Sequence, residues 1–299
     1  MNKLLFTGLC LLVVACSDDG KKDNPVNGNP EPIVSSGETT SSSSKENPGT
    51  SSSVGGASQA NSTVSSSSQG EVASNGCKSI TVGGFTTWCG NLDYPLTTGL
   101  DDGRKTSGYW NAYTDVSEGG ASKIEWPVPT GNQKSEDALD PVIEHCGGVC
   151  GHFALDEGSL DSNPYVGVEL YVAGEDVDGN SQNADASDWG GICITYSASY
   201  APYLELNLGE TFNSEIKLDL PTISLDRSST AMTKHISWDE FSQAGWGVDN
   251  GGVEMPGPEA AKKLSSIRFV IQGKSGFEGE FNIMAFGPYN GGCVETDSE

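Results

Sequence analysis

The sequence predicts an all-β domain, a β-sandwich or jelly roll, preceded by a signal peptide and a disordered linker. Three observations predict it. From Cys77 onward, apolar and polar residues alternate with period two, in runs bounded by Gly, Asn, Asp and Pro. Turn signals recur at the close spacing of short antiparallel strands. Helical signals are short, and no fixed-period repeat occurs of the kind that builds a propeller.

The chain divides into three parts. Met1-Asn2-Lys3 is a positive n-region, and Leu4 to Val14 is an apolar h-region, too short for a membrane span. It ends Val13-Val14-Ala15-Cys16, which resembles the lipobox of bacterial lipoproteins. That resemblance implies removal of residues 1–15 and a lipid on Cys16, converting a soluble chain to an anchored one. An ordinary secretory cleavage with an incidental Cys is the alternative. Ser17-Asp18-Asp19 looks like the surface-export signal of some outer-membrane lipoproteins. The expected location is therefore the outer membrane, at the cell surface or facing the periplasm. Residues 16–76 form a tether. From Ser17 to Gly76 there is no aromatic residue and no Leu, while Ser runs recur, so too little apolar surface exists to offset the entropy of ordering. Such a tether reaches about 40 Å as a flexible coil. Residues 77–299 form the folded domain.

Lys and Arg number 16 against 41 Asp and Glu, a net charge of −25. Nucleic acid is excluded as a partner by sign. The carboxylates serve solubility, or accept hydrogen bonds from sugar hydroxyls, or ligate calcium. Of eight cysteines, Cys10 leaves with the signal peptide and Cys16 is assigned to lipid. Cys77, Cys89, Cys146, Cys150, Cys193 and Cys293 remain, and an even number in an exported chain implies disulfides. The local pairs are Cys77 with Cys89 and Cys146 with Cys150, which would leave Cys193 for Cys293. Several other pairings are open, and the sequence does not choose among them.

Strands are expected at Ser79–Val82, Ser107–Thr114, Ser122–Trp126, Tyr165–Val172, Gly191–Tyr196, Tyr203–Leu208, Glu215–Leu220, Met232–Ser237, Ile267–Gln272 and Phe281–Phe286. Short helices are expected at Ala138–Glu144 and Pro258–Leu264, the second with Pro near its start and two Lys near its end. Alternation then sorts the faces. Val166, Val168, Leu170 and Val172 point inward, and Tyr165, Gly167, Glu169 and Tyr171 outward. Leu204, Leu206 and Leu208 point inward, with Glu205 and Asn207 outward. Ile267, Phe269, Ile271, Phe281, Ile283 and Ala285 point inward. Arg268, Val270, Gln272, Asn282, Met284 and Phe286 point outward. Trp110 and Tyr113 stand on opposite faces of one strand. Asn111 shares the Tyr113 side, so Tyr109, Asn111 and Tyr113 are the displayed residues and Trp110 is core.

Leu100–Pro127 is rich in rings and carboxylates. Asp101-Asp102-Gly103, Gly108-Tyr109-Trp110, Tyr113-Thr114-Asp115 and Gly119-Gly120-Ala121-Ser122 resemble the opening of certain carbohydrate-binding modules. Ile236 to Phe241, continuing to Trp246, and the closing hairpin Leu264 to Gly287 are similar to later segments of the same modules. Asp188 to Tyr196 looks like a segment of exported, Ser-tethered proteins of plant-fibre-degrading bacteria. The resemblance implies a galactose-binding-like jelly roll that recognises plant cell-wall glucans or xylans. It also implies a structural calcium held by Asp101 and Asp102, although no matching late ligand occurs here and the Cys pairs depart from the pattern.

Sugar recognition combines aromatic faces with charged or amide groups. The candidate rings are Trp110, Tyr113, Trp126, Tyr171, Trp189 and Trp246. If their strands are neighbours, Glu169, Tyr171, Arg268 and Gln272 make a polar, aromatic-edged groove, flanked by Tyr109, Asn111 and Tyr113. The expected function is a cell-surface lipoprotein that binds plant polysaccharide, of the β-glucan or xylan class, without catalysis. A glycan hydrolase or esterase is the alternative, with Glu169 and Glu205 as the acid pair. A surface adhesion protein without sugar specificity is another. Neither Gly-x-Ser-x-Gly nor a P-loop occurs. His145-Cys146 to Cys150-Gly151-His152 has zinc-ligand residue types, but an oxidising compartment favours a disulfide. Asp176-Val177-Asp178-Gly179-Asn180 resembles a calcium loop with its Gly misplaced, and reads as an acidic surface loop.

Overall fold

The structure, a computed structural model, describes residues 76–90, 96–101, 106–132 and 137–293. The signal peptide, Cys16, nearly all of the tether and Asp102 lie outside the described residues. In chain order the elements are β1 (Thr81–Val82), β2 (Phe85–Thr86), β3 (Trp110–Thr114), β4 (Lys123–Glu125), α1 (Asp140–Cys146), β5 (Val149–Ala154), β6 (Tyr165–Tyr171), β7 (Gly191–Ala198) and β8 (Tyr203–Asn207). Then follow α2 (Gly209–Glu215), β9 (Thr222–Ser224), β10 (Ser228–Ser237), α3 (Trp246–Asp249), α4 (Gly257–Ala261), β11 (Ser266–Gln272) and β12 (Glu278–Pro288).

Two five-stranded antiparallel sheets form a β-sandwich of jelly-roll type. Sheet I has the order β10-β7-β12-β5-β4, and sheet II has the order β3-β6-β11-β8-β9. A short β1-β2 hairpin stands beside them. The inner faces meet through aromatic contacts. Trp110 of sheet II lies edge-on to Phe286 of sheet I at 5.6 Å, and Phe269 meets Tyr196 at 5.9 Å and Phe281 at 6.2 Å. Val166, Val168, Leu170, Leu204, Leu206, Ile267, Phe269 and Ile271 all lie in this core. Burying each such side chain contributes about 1.5–3 kcal/mol, which is why period two fixes which face turns inward. Trp110 is core, as alternation required.

The three disulfides are Cys77–Cys89, Cys146–Cys150 and Cys193–Cys293, the local pairs and the long one that they leave. Among the described residues no helix is long and apolar enough to cross a membrane.

Four readings change. The expected strand Glu215–Leu220 is absent: α2 ends there, and Lys217 and Leu218 follow in the left-handed region at φ 59° and 64°. The cause is Asp219, a buried carboxylate that accepts hydrogen bonds from the backbone N–H groups of Ala244, Gly245 and Gly247. Satisfying three donors with one charged group outweighs the apolar alternation of a short segment. Phe286, expected outside, is in the core. A register shift between Ile283 and Ala285 moves β12 by one residue, so Phe281, Ile283 and Phe286 all face inward while Ala285 packs with Cys193 and Cys293. Val149–Ala154 is a strand, overlapping the His145–His152 stretch that the sequence marked only by its Cys and His content. Thr222–Ser224 is a short edge strand with no sequence signal of its own.

Candidate functional site

The outer face of sheet II gathers the polar residues that alternation turned away from the core. Register aligns Asn111, Glu169, Arg268, Glu205 and Thr222 in one row across five strands. The adjacent row is Tyr113, Gly167, Val270, Tyr203 and Ser224. On one side of these rows Tyr165 faces Gln272, and on the other Tyr171, Ser266 and Asn207 line up.

Arg268 is the centre. Its Nε donates to Glu169 at 3.0 Å, and its second nitrogen donates to Glu205 at 3.2 Å. Glu169, only 5% exposed, also accepts from Asn207 Nδ2 at 2.9 Å and from the Ser266 hydroxyl. Asn207 Oδ1 in turn accepts from Asn213 Nδ2 at 2.7 Å and from Gly209 N–H. Every donor and acceptor named here is used, the condition under which a buried charge is tolerated. Burial alone would lower the Arg268 pKa, but Glu169, then Tyr113 and Glu205, raise it overall and keep the guanidinium charged. Burial pushes the Glu205 carboxyl above its usual range, against the pull of Arg268.

Rings surround this ionic centre. The Tyr113 ring lies 5.3 Å from the Arg268 guanidinium carbon, within cation–π range. It lies over Gly167, where an added Cβ would come within 2.4 Å of Tyr113 Cζ. Only glycine leaves that space. Tyr165 stands 6.1 Å from Tyr113, its hydroxyl donating to Glu118 at 2.8 Å. The backbone N–H of Tyr165 donates to Asp115, a fully buried carboxylate that also takes both Ser122 donors. Tyr203 completes the row. Burial raises the pKa of Tyr113, Tyr165, Tyr171 and Tyr203, so all four phenols are neutral donors at ordinary pH.

The structure thus brings together Asn111, Tyr113, Glu169 and Arg268, four of the residues expected in the groove. Tyr171 lies at the same face, half-buried, with its hydroxyl bonded to Ser181. Tyr109 is at the end of this row, where its carbonyl accepts from Tyr171 N–H. Gln272 sits at the opposite end and donates to the Asn163 carbonyl at 3.2 Å. Tyr203, Tyr165, Asn207 and Ser266 were not singled out as site residues. Tyr203 was legible, since it precedes inward Leu204; Ser266 and Asn207 depend on pairing between distant strands, which no local pattern carries.

Trp110 and Trp189 are buried, Trp126 is half-buried beside sheet I, and Trp246 is exposed on α3. Asp101 accepts from the Ser107 hydroxyl at 3.0 Å. Among the described residues no group of three or more His, Cys, Asp or Glu side chains is arranged to hold a metal ion. The Asp176 carboxylate accepts from the N–H groups of Asp178 and Asn180, closing its own loop in an Asx turn.

No family model and no curated protein matches this sequence. Similar solved structures include the family 11 carbohydrate-binding module of the cellulosomal cellulase Lic26A-Cel5E of Clostridium thermocellum, at 14% identity and TM-score 0.32, covering 66% of this chain and 95% of that one. A family 11 module from the same organism, in complex with a β-1,3-1,4-mixed-linked tetrasaccharide, matches at 15% identity and TM-score 0.30, covering 62% and 92%.

Proposed function

We propose that this chain captures a plant cell-wall polysaccharide, of the β-glucan or xylan class, on the outer face of sheet II, without catalysis. The observation that carries the reading is the set of tyrosine rings fixed around the Glu169–Arg268–Glu205 centre. Sugar rings present an apolar C–H face and an edge of hydroxyls. Tyrosines supply flat apolar faces with polar tips, at low entropic cost because their partners already hold them. Asn111 and the outer edges of Arg268 and Glu205 supply hydrogen bonds for hydroxyls. Arg268 occupies the space between Glu169 and Glu205, which argues against that acid pair as a hydrolytic centre. In this reading a lipid on Cys16 anchors the chain in the outer membrane, and the Ser-rich tether carries the domain away from it. A calcium at Asp101 and Asp102 would brace the domain rather than contact sugar.

Affinity electrophoresis through gels holding mixed-linkage β-glucan, xylan or galactan tests this. Retardation is expected in the β-glucan or xylan gel. Tyr171→Ala and Tyr203→Ala should each weaken binding about tenfold, the loss of one stacked ring with its buried area, with little change in thermal stability. Absence of retardation in all three gels overturns the proposal, and release of reducing sugar overturns its non-catalytic part. For the anchor, Cys16→Ser should move the protein from the membrane fraction to the soluble fraction.

A further inference from the structure

The outer face of sheet I carries a depression of about 540 Å³, within the range of small-molecule sites. Register places His152 between Glu125 on one neighbouring strand and Glu280 on the other. Asn282 pairs with Cys150 and with Ser197 in the adjoining row. Trp126 and Pro127 form one wall, and the Trp126 ring is held edge-on against Phe281 at 6.4 Å. On another side Cys150 is tied by its disulfide to Cys146, the last residue of α1. The walls are therefore fixed to the core and to a helix.

Two of the lining side chains are not fully satisfied. Nδ1 of His152 and Oδ1 of Asn282 are shielded from solvent and have no hydrogen-bond partner among the described residues. Each such atom costs about 1–3 kcal/mol if left bare. Both side chains line the depression and turn about soft terminal torsions, so that reorienting the imidazole or the amide turns these atoms toward a ligand there. On sheet II, by contrast, the corresponding polar groups are spent on one another.

We infer that this depression is a second carbohydrate site, taking one or two neutral pyranose units on the side of the sandwich opposite the groove. The chemistry selects that class. Glu125 and Glu280 repel an anion, and Lys123 already pairs with Glu125. The imidazole, the Asn282 amide and the Ser197 hydroxyl both donate and accept, as ring hydroxyls do. The half-buried Trp126 offers an apolar surface for the C–H face. The inference shares with the groove only its class of ligand, and its residues are separate.

Titration calorimetry of the full-length chain tests it, with cellotetraose, xylotetraose and a mixed-linkage β-glucan tetrasaccharide as probes. Two sites per chain are expected for at least one probe. His152→Ala with Glu280→Gln should leave one, whereas Tyr203→Ala should weaken the groove site about tenfold and leave the affinity of the other unchanged. Should that double variant not fold, the His152 ring protons report directly, since the chain has only three histidines. In the Tyr203→Ala background these protons should shift on adding the probe. Unchanged stoichiometry in the double variant, or a His152 signal that ignores every probe, overturns the second site. Binding that survives Tyr203→Ala intact but vanishes in the double variant would overturn the groove instead and keep this site. Binding of spermidine with no response to sugar would overturn the choice of ligand.

Discussion

The outer faces of the two sheets are held in different ways. Sheet I is fastened covalently: Cys193 and Cys150 lie on its strands, and Ala285 packs with Cys193 and Cys293. Sheet II has no cysteine on its strands and is fastened by Glu169, Arg268, Glu205, Asn207 and Ser266. A disulfide adds little that a sugar can recognise. An ionic centre fixes side chains just as firmly and still leaves polar edges and ring faces at the surface. The face read here as the groove is the one whose reinforcement is itself chemically useful.

The largest test of that contrast removes the long cross-link. Cys193→Ser with Cys293→Ser opens a loop of 100 residues and should cost about 4–5 kcal/mol in denaturant unfolding. Sugar retardation at low temperature should persist, because the groove lies on the other sheet. Loss of binding while the fold remains would break the division between the faces. Next is Arg268→Met, which leaves Glu169 buried without its cation and should destabilise by about 3 kcal/mol. A neutral result would mean that the ionic centre does not hold sheet II. Gly167→Ala should cost about 1–2 kcal/mol by displacing the Tyr113 ring, and should weaken binding more than its stability change explains. Unaltered binding there would remove Tyr113 from the site.

The smallest effect is a pH slope. Burial raises the Glu205 pKa in the folded state, so the native protein holds that proton over a range where the unfolded chain has released it. This group therefore favours folding at low pH, and its contribution is lost as pH rises from the ordinary carboxylate range through the folded-state value. Glu205→Gln should flatten that fall in a pH series of unfolding curves. An unchanged slope would mean that Arg268 compensates the burial fully.

Much of the fold was legible because one face of each strand is apolar. Val166 to Leu170 and Leu204 to Leu206 announce their inward sides without reference to any partner. The reading failed where a nonlocal bond overrode alternation, as with Asp219 at Glu215–Leu220 and the irregularity that turns Phe286 inward. The site followed the same division. Glu169, Arg268 and Tyr113 could be placed on an outer face from the sequence. That they share one row, and that Asn207 and Ser266 complete the shell of Glu169, follows only from register between strands far apart in the chain.

Gly167 has a consequence of another kind. Every single-base missense change in a glycine codon adds at least a methyl group, and even a methyl forces the Tyr113 ring to move. In a saturation library sorted for polysaccharide capture, every replacement at this position should therefore be depleted, while a solvent-exposed position away from the groove such as Val177 accepts many. The groove would be marked most sharply in such a map by a residue that never touches the sugar.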